Sequence, residues 1–225
     1  MEDQNPALTE LYDPGSNTFA PGPSLNVLRQ SHTATVLDSG PNAGAVLLVG
    51  GWGKKLDPLA STELYDPVTN TFAPPSATAT MKIARSLHTA TLLFSGPNTG
   101  KILIAGGQQD DDRLLSSTEL YDPATNRFAP GPAMYSRRTQ HAAMTITSGP
   151  NAGKILIAGG EGMRYGKSGG DCVSTSLAST ELYDPATNTF ALGPLMRGAP
   201  GRVVAVQLPP APPVVAKSMH SRAAE

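Results

Sequence analysis

Thr118-Glu119-Leu120-Tyr121-Asp122-Pro123, running on into Asn126-Arg127-Phe128, is the stretch on which the fold turns. The chain repeats it as Thr9 to Pro14 with Asn17-Thr18-Phe19, Thr62 to Pro67 with Asn70-Thr71-Phe72, and Thr180 to Pro185 with Asn188-Thr189-Phe190. Its tyrosines, Tyr12, Tyr65, Tyr121 and Tyr183, stand 53, 56 and 62 residues apart. A period of that size marks a repeat array, whose units bury their apolar faces against one another. Thr-Glu-Leu-Tyr reads as a short strand stopped by Asp-Pro, because proline has no N–H to give to a ladder. Asn-(Thr/Arg)-Phe centres the next strand.

Two further pieces recur between the copies. One is Arg-x-x-His leading into a short β-prone run: Arg29 to Leu37, Arg85 to Leu93 and Arg138 to Ile146. Its threonines and other β-prone residues suit a pleated surface. The other is a Ser-Gly-Pro-Asn-x-Gly turn followed by an apolar run closed by Gly-Gly, as in Ser95 to Gly100 and Lys101 to Gly107. Proline presets φ there while Asn and Gly tolerate positive φ. The run is apolar at successive positions, as in a strand buried on both faces. In chain order each unit supplies strands a (after Arg-x-x-His), b (ending in Gly-Gly), c (Thr-Glu-Leu-Tyr) and d (around Phe). Four short strands, punctuated by turns and repeated, predict an all-β propeller. No segment shows convincing helical periodicity.

Composition narrows the function. The chain of 225 residues has a net charge of −1 and only 16% charged residues, so it offers no electrostatic footprint for nucleic acid or an anionic membrane. No apolar run is long enough to span a bilayer. The acidic start, Met1-Glu2-Asp3, shows no secretory signal. The single cysteine, Cys172, excludes an internal disulfide framework and a thiolate-rich metal site. The chain reads as soluble, cytoplasmic as given and exported if its true start lies upstream.

Gly-Gly closing strand b, Tyr on strand c and an aromatic on strand d resemble kelch repeats over about residues 9 to 208, in wording similar to bacterial kelch proteins. Many kelch units place Trp where this chain has Phe19, Phe72, Phe128 and Phe190. The resemblance implies a kelch-type β-propeller with three complete four-stranded blades, about 29–74, 85–130 and 138–192, plus one incomplete blade. That last blade would hold strands c and d from residues 9–20 and a strand a from 201–208, as kelch rings usually pair their two chain ends in one blade. Its Gly-Gly strand is missing, so the chain is a minimal ring or part of a larger propeller. Residues 209–225 are expected to be a poorly ordered Pro-rich tail, and open blade edges to invite self-association.

Candidate site residues fall into three groups. Arg29, Arg85 and Arg138 enter strand a at the rim, where guanidinium groups can grip carboxylates. In eukaryotic relatives, arginines at this mouth bind acidic peptides; the competing reading is that these tie down loop carbonyls or an Asp. His32, His88 and His141 hold equivalent places and are the candidate ligands if a transition metal is bound; the plainer reading is packing and backbone hydrogen bonding. The b–c loops vary most between repeats, and Trp52, Arg164 and Tyr165 are their candidate contacts. The Asp110-Asp111-Asp112 run reads as a solvated turn, and Glu161 to Ser179 as one flexible loop.

No Ser-His-Asp set, Walker loop or HExxH helix is present. The expected function is therefore a non-catalytic interaction scaffold, with no cofactor, that binds a protein or peptide partner, acidic if the arginines make the contact. The alternatives are a carbohydrate-active or copper-oxidase-like propeller enzyme, or a fragment of a larger kelch protein.

Overall fold

Each copy of the repeated phrase forms one arm of an antiparallel hairpin, and the turn after it has a local cause. The structure is a computed structural model describing residues 7–110, 113–165, 172–199 and 201, without the side chains of Arg164, Tyr165, Cys172 and Val173. The aspartate ending the arm accepts the main-chain N–H two residues on, at 2.8 Å for Asp13 and Asp66 and 2.9 Å for Asp122 and Asp184. Aspartate favours such a turn because its side chain mimics a backbone acceptor. Asn17, Asn70, Asn126 and Asn188 then take φ of 51–57°, a left-handed conformation in which asparagine is enriched. Each also accepts the hydroxyl of its hairpin's tyrosine at 2.9–3.0 Å. Tyrosine and phenylalanine face each other across the hairpin with ring centres 5.0–5.3 Å apart.

The first hairpin, β1 (Glu10–Asp13) and β2 (Thr18–Pro21), stands as a two-stranded sheet. Three four-stranded antiparallel sheets follow. Blade one is β3 (Thr33–Val36), β4 (Val46–Val49), β5 (Thr62–Asp66) and β6 (Thr71–Phe72). Blade two is β7 (Thr89–Leu92), β8 (Ile102–Ala105), β9 (Thr118–Asp122) and β10 (Arg127–Pro130). Blade three is β11 (Ala142–Thr145), β12 (Ile155–Ala158), β15 (Thr180–Asp184) and β16 (Thr189–Leu192), with a hairpin of β13 (Glu161–Tyr165) and β14 (Cys172–Ser176) between β12 and β15. The strands of each blade pair in sequence order apart from that insert, as expected of four-stranded propeller blades. Pro75–Ala77 forms one 3-10 turn. Among the described residues no helix is long and apolar enough to cross a membrane.

Strand b is two-faced, and its alternation builds the core. Successive side chains of a strand point to opposite faces. Leu47 and Val49 of blade one, with Leu64 and Met81, meet Ile102, Ile104 and Tyr121 of blade two. Leu103, Ala105, Leu120 and Met134 repeat this toward Ile155, Ile157, Tyr183 and Phe190 of blade three. The Gly-Gly pair explains the close approach of neighbouring blades. Gly106 and Gly107 take φ of 62° and 92°; a Cβ on Gly106 would collide with the Arg138 carbonyl oxygen, and the Gly107 N–H donates to that oxygen at 2.9 Å. Gly51 does the same to Arg85 at 2.9 Å.

At the opposite end of the blades the a–b turn of one touches the c–d turn of the next. Gly40 packs on the Pro123–Ala124 backbone and Gly96 on Pro185–Ala186. Gly149 of blade three differs: among the described residues, nothing lies within 4 Å of the place a Cβ would take there. The strand expected at 201–208 lies outside the described residues after Gly201, as does the 209–225 tail.

Candidate functional site

The d–a and b–c loops emerge together at one end of the blades, and the residues entering strand a organise that end. Arg29, Arg85 and Arg138 do not face a partner there: all three are buried, at 2%, 0% and 0% exposure. Arg29 donates through Nη1 to the carbonyls of Gly50 at 2.8 Å and Ser61 at 3.1 Å. Arg85 does so to Gly106 and Ser117, and Arg138 to Gly159 and Ser179. Each guanidinium pairs with the glutamate of its own blade's strand c: Glu63 at 3.0 Å, Glu119 at 3.1 Å and Glu181 at 2.9 Å. The glutamates also accept two loop N–H groups each, from Asn26 and Val27, Lys82 and Ile83, and Tyr135 and Ser136.

The three arginines are thus staples binding strands a, b and c of one blade, which corrects their assignment as partner contacts. Burial pulls Arg29 and Arg85 below the usual guanidinium range, while Glu63 and Glu119 oppose that shift. An acidic-peptide partner rested on these side chains and loses that footing. The ties to carbonyls match the competing reading, but the acid is a glutamate of the repeated phrase and not an aspartate. The sequence carries a signal for it: a Thr-Glu-Leu-Tyr copy follows every Arg-x-x-His.

The histidines link successive blades. His88 Nε2 hydrogen-bonds with Thr33 Oγ1 at 2.9 Å, and His141 Nε2 with Thr89 Oγ1 at 3.0 Å. Burial, then the charge of Arg85 or Arg138, holds both imidazoles down at about 3. Burial and Arg29 lower His32 as well. Neutral imidazoles one junction apart do not form a shared ligand set. Among the described residues no group of three or more His, Cys, Asp or Glu could hold a metal ion.

What remains accessible at this end is built by the variable loops. Trp52, Gln108 and Glu161 follow Gly-Gly in their respective blades and bridge the entry to strand a, opposite Gln30, Ser86 and Thr139. Trp52 is half-buried. With Leu56, Gln108 and Asp110 it lines a recess of about 240 Å³ between the loops of blades one and two. Leu56 is exposed and takes φ of 59°, a conformation that non-glycine residues rarely adopt. Nothing in the sequence singles out Leu56, Gln108 and Asp110 beyond their place in the variable loops. Of the Asp run, Asp111 and Asp112 lie outside the described residues.

The third loop is not the flexible segment expected. β13 and β14 pair antiparallel from Glu161↔Ser176 to Tyr165↔Cys172, and Ser174 Oγ donates to Glu161 at 3.0 Å. Arg164 and Tyr165 lie on β13, with their side chains outside the described part of the molecule.

Four-stranded antiparallel blades joined face to face, with variable loops at one end, define a β-propeller. The model of the kelch motif matches residues 98–135, which span the second blade's Gly-Gly, Tyr and Phe elements. Residues 98–135 thus carry a kelch motif, and the chain resembles kelch-repeat proteins. It is 27% identical over 153 residues to the F-box/kelch-repeat protein SKIP20 of Arabidopsis thaliana, a match covering 67% of this chain and 33% of that protein. A solved structure titled "Structure of YjhT" superposes with a TM-score of 0.67 at 10% identity, over 85% of this chain and 63% of the other. The chain thus spans a third of that curated relative and under two thirds of that solved chain.

Proposed function

We propose that the chain is a non-catalytic interaction module that takes a protein or peptide partner on its b–c loop face. The observation carrying this reading is the contrast between scaffold and loops. Ser95 to Gly107 and Ser148 to Gly160 differ only at Thr99 against Ala152, while the b–c loops diverge in wording after Gly-Gly, from Trp52-Gly53-Lys54-Lys55 to Gln108-Gln109-Asp110-Asp111, and the third, Glu161 to Ser179, is longer than the other two. Repeat scaffolds place specificity in such loops. Trp52 and Leu56 give the recess an apolar wall, and Gln108 and Asp110 give it polar groups; a few placed polar groups on an apolar wall suit a side chain anchored from a partner. Arg164 and Tyr165 on the β13–β14 hairpin are the further candidate contacts. The kelch repeats of the Arabidopsis relative, which its name sets beside an F-box, agree with an interaction role.

A photo-crosslinking residue placed at Leu56 is expected to trap the partner, and one at Asn42, in the turn at the opposite end, is not. Trp52→Ala should reduce capture at least tenfold, the loss typical of an anchoring aromatic. Equal trapping from both ends, or capture unchanged by Trp52→Ala, defeats the assignment of this face.

A further inference from the structure

The three blades build the end below their a–b turns alike, except for one side chain that blades two and three carry there and blade one does not. The residue entering strand b is Lys101 in blade two, Lys154 in blade three and Ala45 in blade one. Its main chain is held in the same way each time. Ala45, Lys101 and Lys154 donate their N–H to the carbonyls of Asn42, Asn98 and Asn151 at 3.0–3.1 Å, and accept from Leu37, Leu93 and Ile146 at 2.8–2.9 Å. The lysine Nζ then approaches the aspartate that ends strand c, 3.9 Å from Asp122 in blade two and 3.4 Å from Asp184 in blade three. In blade two it also donates to the side-chain oxygen of Asn98 at 3.2 Å.

Blade one keeps both acceptors without the cation. Asn42 and Asp66 hold the places of Asn98 and Asp122, and with Ala45 they line a groove of about 500 Å³. That falls within the roughly 300–1,000 Å³ of small-ligand sites. Pro41, Ala43, Val68 and Ala73 give the groove apolar walls. Asp66 accepts the Val68 N–H at 2.8 Å and the Thr69 hydroxyl at 2.9 Å, one on each oxygen, and a carboxylate has further lone pairs to offer. The same two bonds, the Val68 N–H foremost, hold the carboxyl below its usual range, so it is ionised at neutral pH. Among the described residues no lysine or arginine forms an ion pair with it.

We propose that this groove binds a small aliphatic primary amine. Its ammonium takes the place that Lys101 Nζ holds in blade two, between Asn42 and Asp66, while its methylenes lie along the apolar walls. A free amine is favoured over a side chain from a protein partner because the groove has no aromatic or arginine in its lining, the residues that anchor protein interfaces. It lies at the end of the blade opposite the b–c loops and stands independently of the loop-face reading. A single exposed ion pair contributes little, so binding is weak and is screened by salt.

The test is a titration of the isotope-labelled full chain with n-butylammonium, followed through its backbone amide resonances, with n-butanol as the uncharged probe of the same stem. The amides of Asn42, Ala45, Asp66 and Val68 should shift and saturate, while those of Trp52 and Gln108 stay in place. Asp66→Asn, which keeps the turn, should weaken binding about fivefold, the upper end for one exposed ion pair. Ala45→Lys copies the sibling blades and should abolish binding, because the chain then fills the site itself. Lys101→Ala should create a second site, read as new shifts at Asn98 and Asp122; its side chain is 31% exposed, so the fold tolerates the change. Equal shifts with n-butanol overturn the proposal, as does binding that survives Ala45→Lys. Shifts spread over the surface without saturation overturn it too, since they report ionic strength alone. Binding of a lysine-containing peptide but not of n-butylammonium overturns the assignment to a free amine.

Discussion

The same six residues, Thr-Glu-Leu-Tyr-Asp-Pro, occupy β1 of the first hairpin and β9 of blade two, and they meet opposite fates. In β9 the glutamate is buried against Arg85, the leucine lies in a junction and the tyrosine is fully covered. In β1 Glu10, Leu11 and Tyr12 are all exposed. Yet the hairpin itself is unchanged, with the same Asx turn, the same left-handed asparagine and the same tilted ring pair. Local sequence writes the hairpin; burial and ionic partnership are written by the neighbouring strands.

Paired substitutions put that separation at risk. The largest effect is expected at glutamate. Glu119→Ala leaves the Arg85 guanidinium buried without its counter-charge and should cost about 3–5 kcal/mol, read from the urea midpoint. Glu10→Ala should leave the midpoint where it was. Equal losses at the two sites would mean that β1 is covered in solution as β9 is.

The next effect is a slope. His88 and His141 stay neutral in the folded chain down to about 3, whereas in the unfolded chain they take up protons below about 6.5. The unfolded state therefore binds more protons across that window. Stability is whole above about pH 6.5 and falls as pH drops toward about 3, by at most about 1.4 kcal/mol per pH unit for each histidine. His88→Gln should flatten the fall between about pH 6.5 and 5 relative to the unsubstituted chain, and an unchanged slope would refute the buried neutral state. The smallest effect is expected at tyrosine. Tyr121→Phe gives up the bond to Asn126 and should cost about 1 kcal/mol, with Tyr12→Phe costing less because water replaces its partner. Burial and the charge of Asp122 also push the Tyr121 phenol up to about 12, so its ionisation should appear late in an alkaline absorbance titration.

The all-β propeller was legible because the repeat states it several times, and because an apolar run such as Ile102-Leu103-Ile104-Ala105 has to be covered on both faces. The arginines show where legibility stops. Their position at the rim was readable, but the direction of a guanidinium depends on Glu63, Glu119 and Glu181, which lie 34, 34 and 43 residues further along the chain. The β13–β14 hairpin escaped for another reason: Glu161 to Ser176 is rich in Gly and Ser and carries no apolar alternation, so nothing in it announces a strand. The recess at Trp52 depends on the spacing of two blades, which no single loop encodes. Leu56 and Gln108 therefore acquire their relation to Trp52 only in three dimensions.

The self-contained hairpin has a consequence for how such an array changes over generations. Its bonds close within five residues, from Tyr12 to Asn17 or from Tyr121 to Asn126, whereas the ties between blades reach across 52 to 55 residues. A duplication or deletion that breaks the gene beside a hairpin therefore disturbs only the long ties and leaves a strand pair already folded at the new boundary. Recombination can lengthen or shorten the array in whole repeats, and each product begins with an end that holds its shape while its exposed tyrosine waits for the next blade.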